Sequence, residues 1–532
     1  MTGFLALLDL TRGAFRAPSF AIFTDLLTGW VCAPGRRTIT NMIAVADPVG
    51  RRAHDAYHRF VRDGAWSMNQ LWQALATHLV GRFCPTGVIE LACDDTLFHH
   101  AGRKVAGAGV FRDAVRSTIG RVVYARGLNL VVITLTISPP WGGTPIAVPV
   151  NVRVHKKHDA TTTIAHAAAM ITEIAGWLPE RCFHLVADGA YPTLAGAALP
   201  RTQITSRIRR DAALYEPAPP RTGRRGRPRT KGDRLPTPPG LAEQTTKRDW
   251  KRVTLDVRGR SVERLVYVRD VLWYTVNKTD LVRLVIVRDP DNIEPDDYFL
   301  TTDLHATAAD VATRYASRWA IEVCFRDVKQ DLGGHNPQSW KRRGPERAAA
   351  LSLWLHATIW YWYLTSHPTG RTWTPKPWYR TKSTPSFLDA LAALRRVLWS
   401  QRITTMSRSG PEEPKSPRRY STRSPTPHRP NHRLRKSTAC DSDENRGRAS
   451  ELVPHCVVSR TAAARSVVVA VPPRSGVWFR GSVSAVATAA RMPRAASSCP
   501  RSSSSKALER RQATGLATPL PAMSRAEPWT GS

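Results

Sequence analysis

The chain has 532 residues, with 78 Lys and Arg against 42 Asp and Glu, for a formal net charge of +36. That balance argues against an acidic small-molecule enzyme or a neutral secreted domain and points to a polyanion, nucleic acid first. A hydrophobic content of 42% excludes a mere disordered basic tail, and the length leaves room for roughly three or four domains.

The opening residues lack the basic region and cleavage site of a signal peptide, and no apolar run approaches the ~18 residues of a membrane span. Cysteines such as Cys32, Cys93 and Cys324 never fall in C-x-x-C spacing, which predicts free thiols in a reducing cytoplasm. Residues 1–87 read as helices. Phe20 to Trp30, Arg51 to Asp63 and Ser67 to Val80 carry apolar residues at 3–4 spacing, with breaks at Pro34-Gly35 and Pro48-Val49-Gly50. A small DNA-binding or dimerisation unit fits this region, and so does a helical cap on a neighbouring domain.

From residue 88 the period changes. Val88 to Asp94 is a strand ending in acid, Leu128 to Ile137 and Ile146 to Val154 are apolar runs, Thr161 to Trp177 is an Ala-rich helix, and Phe183 to Asp188 is a buried strand ending in a second acid. Strand–strand–strand–helix–strand predicts a mixed sheet, an antiparallel meander followed by a crossover, over residues 88–200. Residues 201–245 crowd Arg among Pro and Gly and read as a loop. Lys251 to Val257, Arg264 to Tyr274, Val282 to Val287 and Tyr298 to Thr302 read as strands, so 201–297 is a basic loop plus a mainly β insertion. Helices over 308–332, 348–364 and 388–399 complete a second part, 298–400. Residues 401–532, rich in Ser, Pro and Arg, read as a disordered basic tail. The tail carries +15 of the charge and the first 400 residues +21.

Three acids stand out by position. Asp94 and Asp188 end strands that a sheet can set side by side, and Glu322 lies on a later helix. Three carboxylates can hold two hard cations about 3.5–4 Å apart for phosphoryl transfer. Asp95 competes with Asp94, but neighbouring strand residues face opposite ways, so one of the two faces the metals. A strand-end Asp also caps turns commonly. At 100° per residue, Tyr315, Arg318, Glu322 and Lys329 fall within an arc of roughly 60°, flanked by Trp319 and Arg326. A solvated salt-bridge face is one reading of that helix, and a phosphate-gripping active-site helix is the other.

This Y-x2-R-x3-E-x6-K pattern resembles the signature of bacterial insertion-sequence transposases of the DDE superfamily, whose catalytic domain is RNase H-like. Cys93-Asp94-Asp95-Thr96 resembles the family's first-Asp strand, and Val186-Ala187-Asp188-Gly189-Ala190-Tyr191 its second. The long, largely β insert before Glu322 also fits, and the resemblance covers roughly residues 15–400. It implies an α/β, RNase H-like mixed sheet with flanking helices, and Asp94, Asp188 and Glu322 binding two Mg2+, with Mn2+ as a substitute. It implies cleavage at terminal inverted repeats and joining to target DNA, and a homodimer in a synaptic complex on the bacterial nucleoid. Tyr315, Arg318 and Lys329 would hold DNA phosphates beside Arg326, and Trp250 and Trp273 would be candidates for stacking on a displaced base, against ordinary strand packing. Two other readings stay open: a catalytically inactive or decayed transposase-derived DNA-binding protein, and a plain RNase H-like nuclease.

Arg224-Arg225-Gly226-Arg227-Pro228-Arg229 resembles a minor-groove arginine hook, with Arg209 and Arg210 just upstream. A plain solvated linker has the same composition. Either way the loop adds sequence-independent phosphate affinity. His99 and His100 follow Asp94 closely, but hard Mg2+ prefers oxygen, so a structural or phosphate role is expected for them. The aromatic helix around Trp354 and Trp360 reads as core.

Overall fold

The computed structural model describes residues 3–409, apart from 119, 221–226, 258–259 and 375. Five helices come first: α1 (Gly3–Asp9), α2 (Ala17–Cys32), α3 (Ile39–Ala46), α4 (His54–Asp63) and α5 (Met68–Phe83). They form no separate unit. Trp30 Nε1 donates to the Leu332 carbonyl at 2.9 Å and Trp354 Nε1 to the Leu71 carbonyl at 3.1 Å, so indoles stitch these helices to the second half of the chain. This is the helical-cap arrangement.

The sheet follows with β1 (Ile89–His99), β2 (Gly109–Arg112), β3 (Tyr124–Ile137) and β4 (Ile146–His155) as an antiparallel meander. Helix α6 (Thr163–Trp177) crosses over to β5 (Phe183–Ala187), which lies parallel to β1, and β6 (Thr202–Arg207) lies parallel to β5. The order β4-β3-β1-β5-β6 is the RNase H-like arrangement expected from the resemblance. β3 crosses β1 closely at Gly127, where a Cβ would sit 2.2 Å from the Phe98 carbonyl oxygen, so only glycine fits there.

The region expected to be a loop, 201–245, is partly ordered core. It contains β6 and α7 (Pro238–Gln244), and Ile208, Ala212, Leu214 and Leu241 are buried together with Trp273, Leu284 and Ile286. Few apolar residues separated by Pro and Gly hide the fact that β6 pairs with a strand about 90 residues away. The insertion strands β7 (Lys251–Val257), β8 (Arg260–Val271) and β9 (Val282–Arg288) do not form a sheet of their own. Through β10 (Asp297–Thr301), antiparallel to β6, they extend the main sheet to ten strands among the described residues. Alternation in β9 explains both faces: Leu284 and Ile286 enter one cluster, while Val285 and Val287 enter another with Phe299 and Tyr315.

The final helices are α8 (Ala308–Ser317), α9 (Trp319–Gln330), α10 (Gly344–Ser366) and α11 (Phe387–Ser409). α10 is buried on all sides from Ala348 to Leu364, which makes its aromatics core, as read from the sequence. Among the described residues no helix is long and apolar enough to cross a membrane. Residues 401–409, expected to open the disordered tail, continue α11, and the rest of that tail lies outside the described residues.

Candidate active site

The register of the parallel pair β1–β5 sets the site. Cys93 pairs with Ala187, so the residues that follow, Asp94 and Asp188, stand at neighbouring positions; Asp188 ends β5 as expected, but Asp94 does not end its strand, because β1 runs on to His99 in its pairing with β3. β6 follows in register, Ser206 beside Ala187, and the Ser206 hydroxyl donates to the Asp188 carbonyl oxygen at 2.9 Å. The amide of Gly189 donates to the Asp188 carboxylate, and the amide of Asp95 donates to Asp94 Oδ1 at 2.8 Å.

The third acid arrives on α9. The expected single helix over 308–332 is two helices that break at Arg318, where the backbone amides of Arg318 and Ile321 bond three residues back, to Tyr315 and Arg318. Arg318, only 6% exposed, therefore sits at the junction. Its Nη1 donates to Asp94 Oδ2 at 2.8 Å and its Nη2 to Glu322 Oε1 at 2.7 Å. One guanidinium thus clamps carboxylates that lie more than 200 residues apart in sequence. Burial pushes the Asp94 carboxyl well up from its ordinary range, Arg318 pulls it back, and Asp188, Asp95 and Glu322 push it further up. Burial works against the Arg318 charge, and the Asp94, Asp188 and Glu322 carboxylates hold it in place.

Tyr315, buried to 2%, lies under two cations, with Arg318 Cζ 5.4 Å and Arg207 Cζ 5.9 Å from its ring. Burial, countered by Arg318, pushes its phenol up to about 12, so it remains a neutral hydroxyl. Lys329 Nζ lies 5.9 Å from the Phe98 ring, and burial lowers its pKa while Asp113 and Asp94 raise it. Tyr315, Arg318, Glu322 and Lys329 are thus drawn toward the carboxylate edge. Arg326 is not: it is exposed and pairs with Asp327 at 2.9 Å.

The other expected DNA contacts are scattered. Arg209 forks onto Asp211 at 2.6 and 2.8 Å, and Arg210 stacks 5.5 Å from the Tyr298 ring. Arg227 and Arg229 are exposed, with Arg229 paired to Asp233 at 2.7 Å. Arg224 and Arg225 lie outside the described residues. Trp273 is core, 4% exposed, and Trp250 packs with Tyr267 beneath Arg288, so strand packing accounts for both. His99 pairs with Asp113 at 2.8 Å, away from the acids.

Two residues beside the acids, Tyr191 and Arg207, make contacts that the sequence motifs do not specify. Tyr191, fully buried, donates its hydroxyl to Asp95 Oδ1 at 3.1 Å, while its backbone amide bonds the Asp188 carbonyl at 2.9 Å. It ties the turn after Asp188 to the strand that carries Asp94. Arg207, at the end of β6, pairs with Asp297 and faces Tyr315. The parallel register that places β6 beside Asp188 is the signal that would have found Arg207.

Hard oxygen donors, with no thiolate or imidazole among them, suit Mg2+ or Mn2+. As placed, no three His, Cys, Asp or Glu side chains among the described residues stand close enough to hold a metal ion. The arrangement holds a guanidinium instead: a mutually repelling acidic set already organised around positive charge.

An RNase H-like sheet that sets two carboxylates on neighbouring strands beside an acid-bearing helix is an arrangement able to carry phosphoryl-transfer chemistry on a polyanion. Residues 8–264 match the family described as DDE superfamily endonuclease, a match that supports a DDE-superfamily transposase-like protein. The matched stretch contains Asp94 and Asp188 and ends before α8, so Glu322 lies beyond it. The match supports nuclease or transposase-type activity in general, with DNA as substrate and the divalent metals the superfamily generally uses. No curated protein matches the chain.

Proposed function

We propose that the protein is a cut-and-paste DNA transposase, of the branch whose signature is Y-R-E-K, that cleaves the terminal inverted repeats of its own element and joins them to target DNA. The observation that carries this reading is the Arg318 clamp, which draws Glu322 to Asp94 on β1, beside Asp188. Asp94, Asp188 and Glu322 would hold two Mg2+, or Mn2+ in their place. When bound, such a pair activates a water or 3′-hydroxyl and stabilises the leaving oxygen.

The chain's own residues do the rest. The Gly189 and Asp95 amides fix the two Asp carboxylates in one orientation each. Tyr315, neutral at working pH, offers a hydroxyl to a phosphate oxygen, and Lys329 supplies a charge from the far end of α9. Arg326, Arg209, Arg210, Arg224, Arg225, Arg227 and Arg229 bind the phosphate backbone away from the cut, and each phosphate neutralised steepens the salt dependence by about 0.9 in log–log slope. Residues 1–87, 88–200 with 298–400, 201–297 and 401–532 are the corresponding helical, catalytic, inserted and tail segments, acting as a homodimer on paired ends.

DNA flanking the gene, bracketed by inverted repeats, is the substrate for the test. Purified protein with Mg2+ or Mn2+ is expected to nick at the repeat boundaries and to join a pre-cut end to plasmid DNA, and chelation is expected to stop both. Glu322→Gln is expected to lower cleavage by about 10²–10³-fold or more. Undiminished cleavage by that variant would remove the assignment of the site, and nicking without joining would leave a plain nuclease.

A further inference from the structure

We infer that Arg318 is an exchangeable counter-ion, which holds the acidic site closed before metal arrives and passes to a DNA phosphate when metal takes its place. This rests on the metal-ion reading of Asp94, Asp188 and Glu322 given above.

The oxygens decide it. Asp94 Oδ1 already accepts the Asp95 amide at 2.8 Å, which leaves Oδ2 as the oxygen to offer a cation, and Arg318 holds that oxygen at 2.8 Å. Arg318 also holds Oε1 of Glu322 at 2.7 Å. A metal shared by these two residues meets the guanidinium at the same carboxylate oxygens, where their positive charges repel. Both are hard cationic partners for the same carboxylates, so gain of one is loss of the other.

The guanidinium is also built to move and to find another anion. Its Nε is buried and has no hydrogen-bond partner among the described residues, so the fork is only partly satisfied where it stands. Arg318 sits at the one-residue junction between α8 and α9, where the backbone bonding tightens to three residues. Arg207 and Tyr315 lie on its other side, with Arg207 Cζ 5.9 Å and Arg318 Cζ 5.4 Å from the same ring. Swung away from the acids, the guanidinium would join the Tyr315 hydroxyl and Arg207, whose charge Asp297 already shares, a set matched to phosphate oxygens and to their bidentate recognition. A permanently buried structural ion pair would need none of these features.

Exchange makes two binding events reciprocal. Metal raises phosphate affinity by freeing Arg318, and by linkage phosphate raises metal affinity by the same factor. The sign for the metal alone runs against a simple supporting role, because removing Arg318 removes the competitor and leaves three unneutralised carboxylates. Mn2+ should therefore bind tighter to the variant than to the natural protein.

The experiment measures Mn2+ binding to the full-length protein without DNA by electron paramagnetic resonance. Arg318→Met is expected to bind Mn2+ at least about fivefold, and up to about a hundredfold, more tightly than the natural protein, the range typical of coupled sites. Ca2+ should raise the natural protein's affinity for a random-sequence duplex and should leave that of the variant unchanged. Unchanged or weaker Mn2+ binding by Arg318→Met overturns the exchange. Should that variant not fold, Arg318→Gln, which is neutral and keeps a donor, is read in the same way. Asp94→Asn separates the two readings. If it leaves Mn2+ binding intact in both backgrounds, the metal site itself is misassigned. If it abolishes tight binding but Arg318→Met binds no tighter, only the exchange falls.

Discussion

The edge of the sheet and its body hold buried polar groups by opposite means. At the edge, Asp94 and Glu322 share one cation, and that cation keeps an unused buried donor. One residue along β1, on the other face, Asp95 is closed by neutral partners: the Tyr191 hydroxyl at 3.1 Å and the Asn129 side chain. Deeper in the sheet His184 meets the Thr205 hydroxyl at 2.8 Å, and between α10 and α9 His356 meets the Cys324 thiol at 3.6 Å. Neutral hydrogen bonds in a low dielectric lock a structure, whereas a charge balanced by one exchangeable ion keeps the option of a different ion. On the proposed reading the contrast gives chemistry to Asp94 and architecture to Asp95, although the two are identical neighbours in sequence.

Breaking the lock beside the site tests that division first. Tyr191→Phe removes the donor to a buried carboxylate, for which an expected loss of about 1.5–3 kcal/mol in chemical denaturation is typical. Because Tyr191 also bonds the Asp188 carbonyl through its backbone, which the substitution keeps, the turn itself should survive. Mn2+ affinity should fall as Asp94 and Asp188 lose their common brace. A variant with full stability and full Mn2+ affinity would erase the distinction between edge and body.

The next test uses pH on the body alone. Burial, helped by the Arg314 charge and opposed by Asp303, holds the His184 imidazole down at about 4, against 6.5 ordinarily. The folded protein thus declines a proton that the unfolded chain accepts. The stabilisation is complete above pH about 6.5 and is lost as pH falls from there through about 4. His184→Gln cannot titrate and can still bond Thr205. Between pH 7 and 4 the natural protein should lose about 1–3 kcal/mol more than the variant in urea melts. Parallel acid curves would show that His184 is solvated rather than locked.

The division explains what the sequence made legible. A strand that runs apolar and then stops at acid, Phe183 to Asp188, announces the edge, whereas β1 continues past Asp94 to His99 through buried Leu97 and Phe98. The Tyr315, Arg318, Glu322 and Lys329 spacing announces the helix face, although it conceals the break at Arg318, since local periodicity survives a single tightened turn. The body is harder to read. β6 and the Tyr191–Asp95 bond depend on pairings made about a hundred residues away, and no local pattern encodes a partner at that separation. The insertion reads correctly as β, but its fusion into the main sheet follows from β10 meeting β6, again a long-range event. The arginines spread over 201–234 advertise DNA by composition, yet Arg207, Arg209 and Arg229 have acidic partners that composition cannot show.

The smallest effect is expected at the start of α8, the helix that delivers Tyr315 and ends at Arg318. Thr307 and Asp310 form a reciprocal cap there: the Asp310 amide donates to Thr307 Oγ1 at 3.1 Å and the Thr307 amide donates to Asp310 Oδ2 at 3.0 Å. Both residues stand on the exposed rim, while Val311, Ala312 and Tyr315 anchor the helix in the core below. Thr307→Ala is expected to cost about 1 kcal/mol in thermal or chemical denaturation. Since the apolar anchors keep the register of α8, Mn2+ affinity should not change. A cap that fixes only the first turn acts on stability, whereas a cap that sets the position of Arg318 would act on the metal as well. A fall in Mn2+ affinity with this variant would therefore move Thr307 from the supporting body of the protein to its working edge.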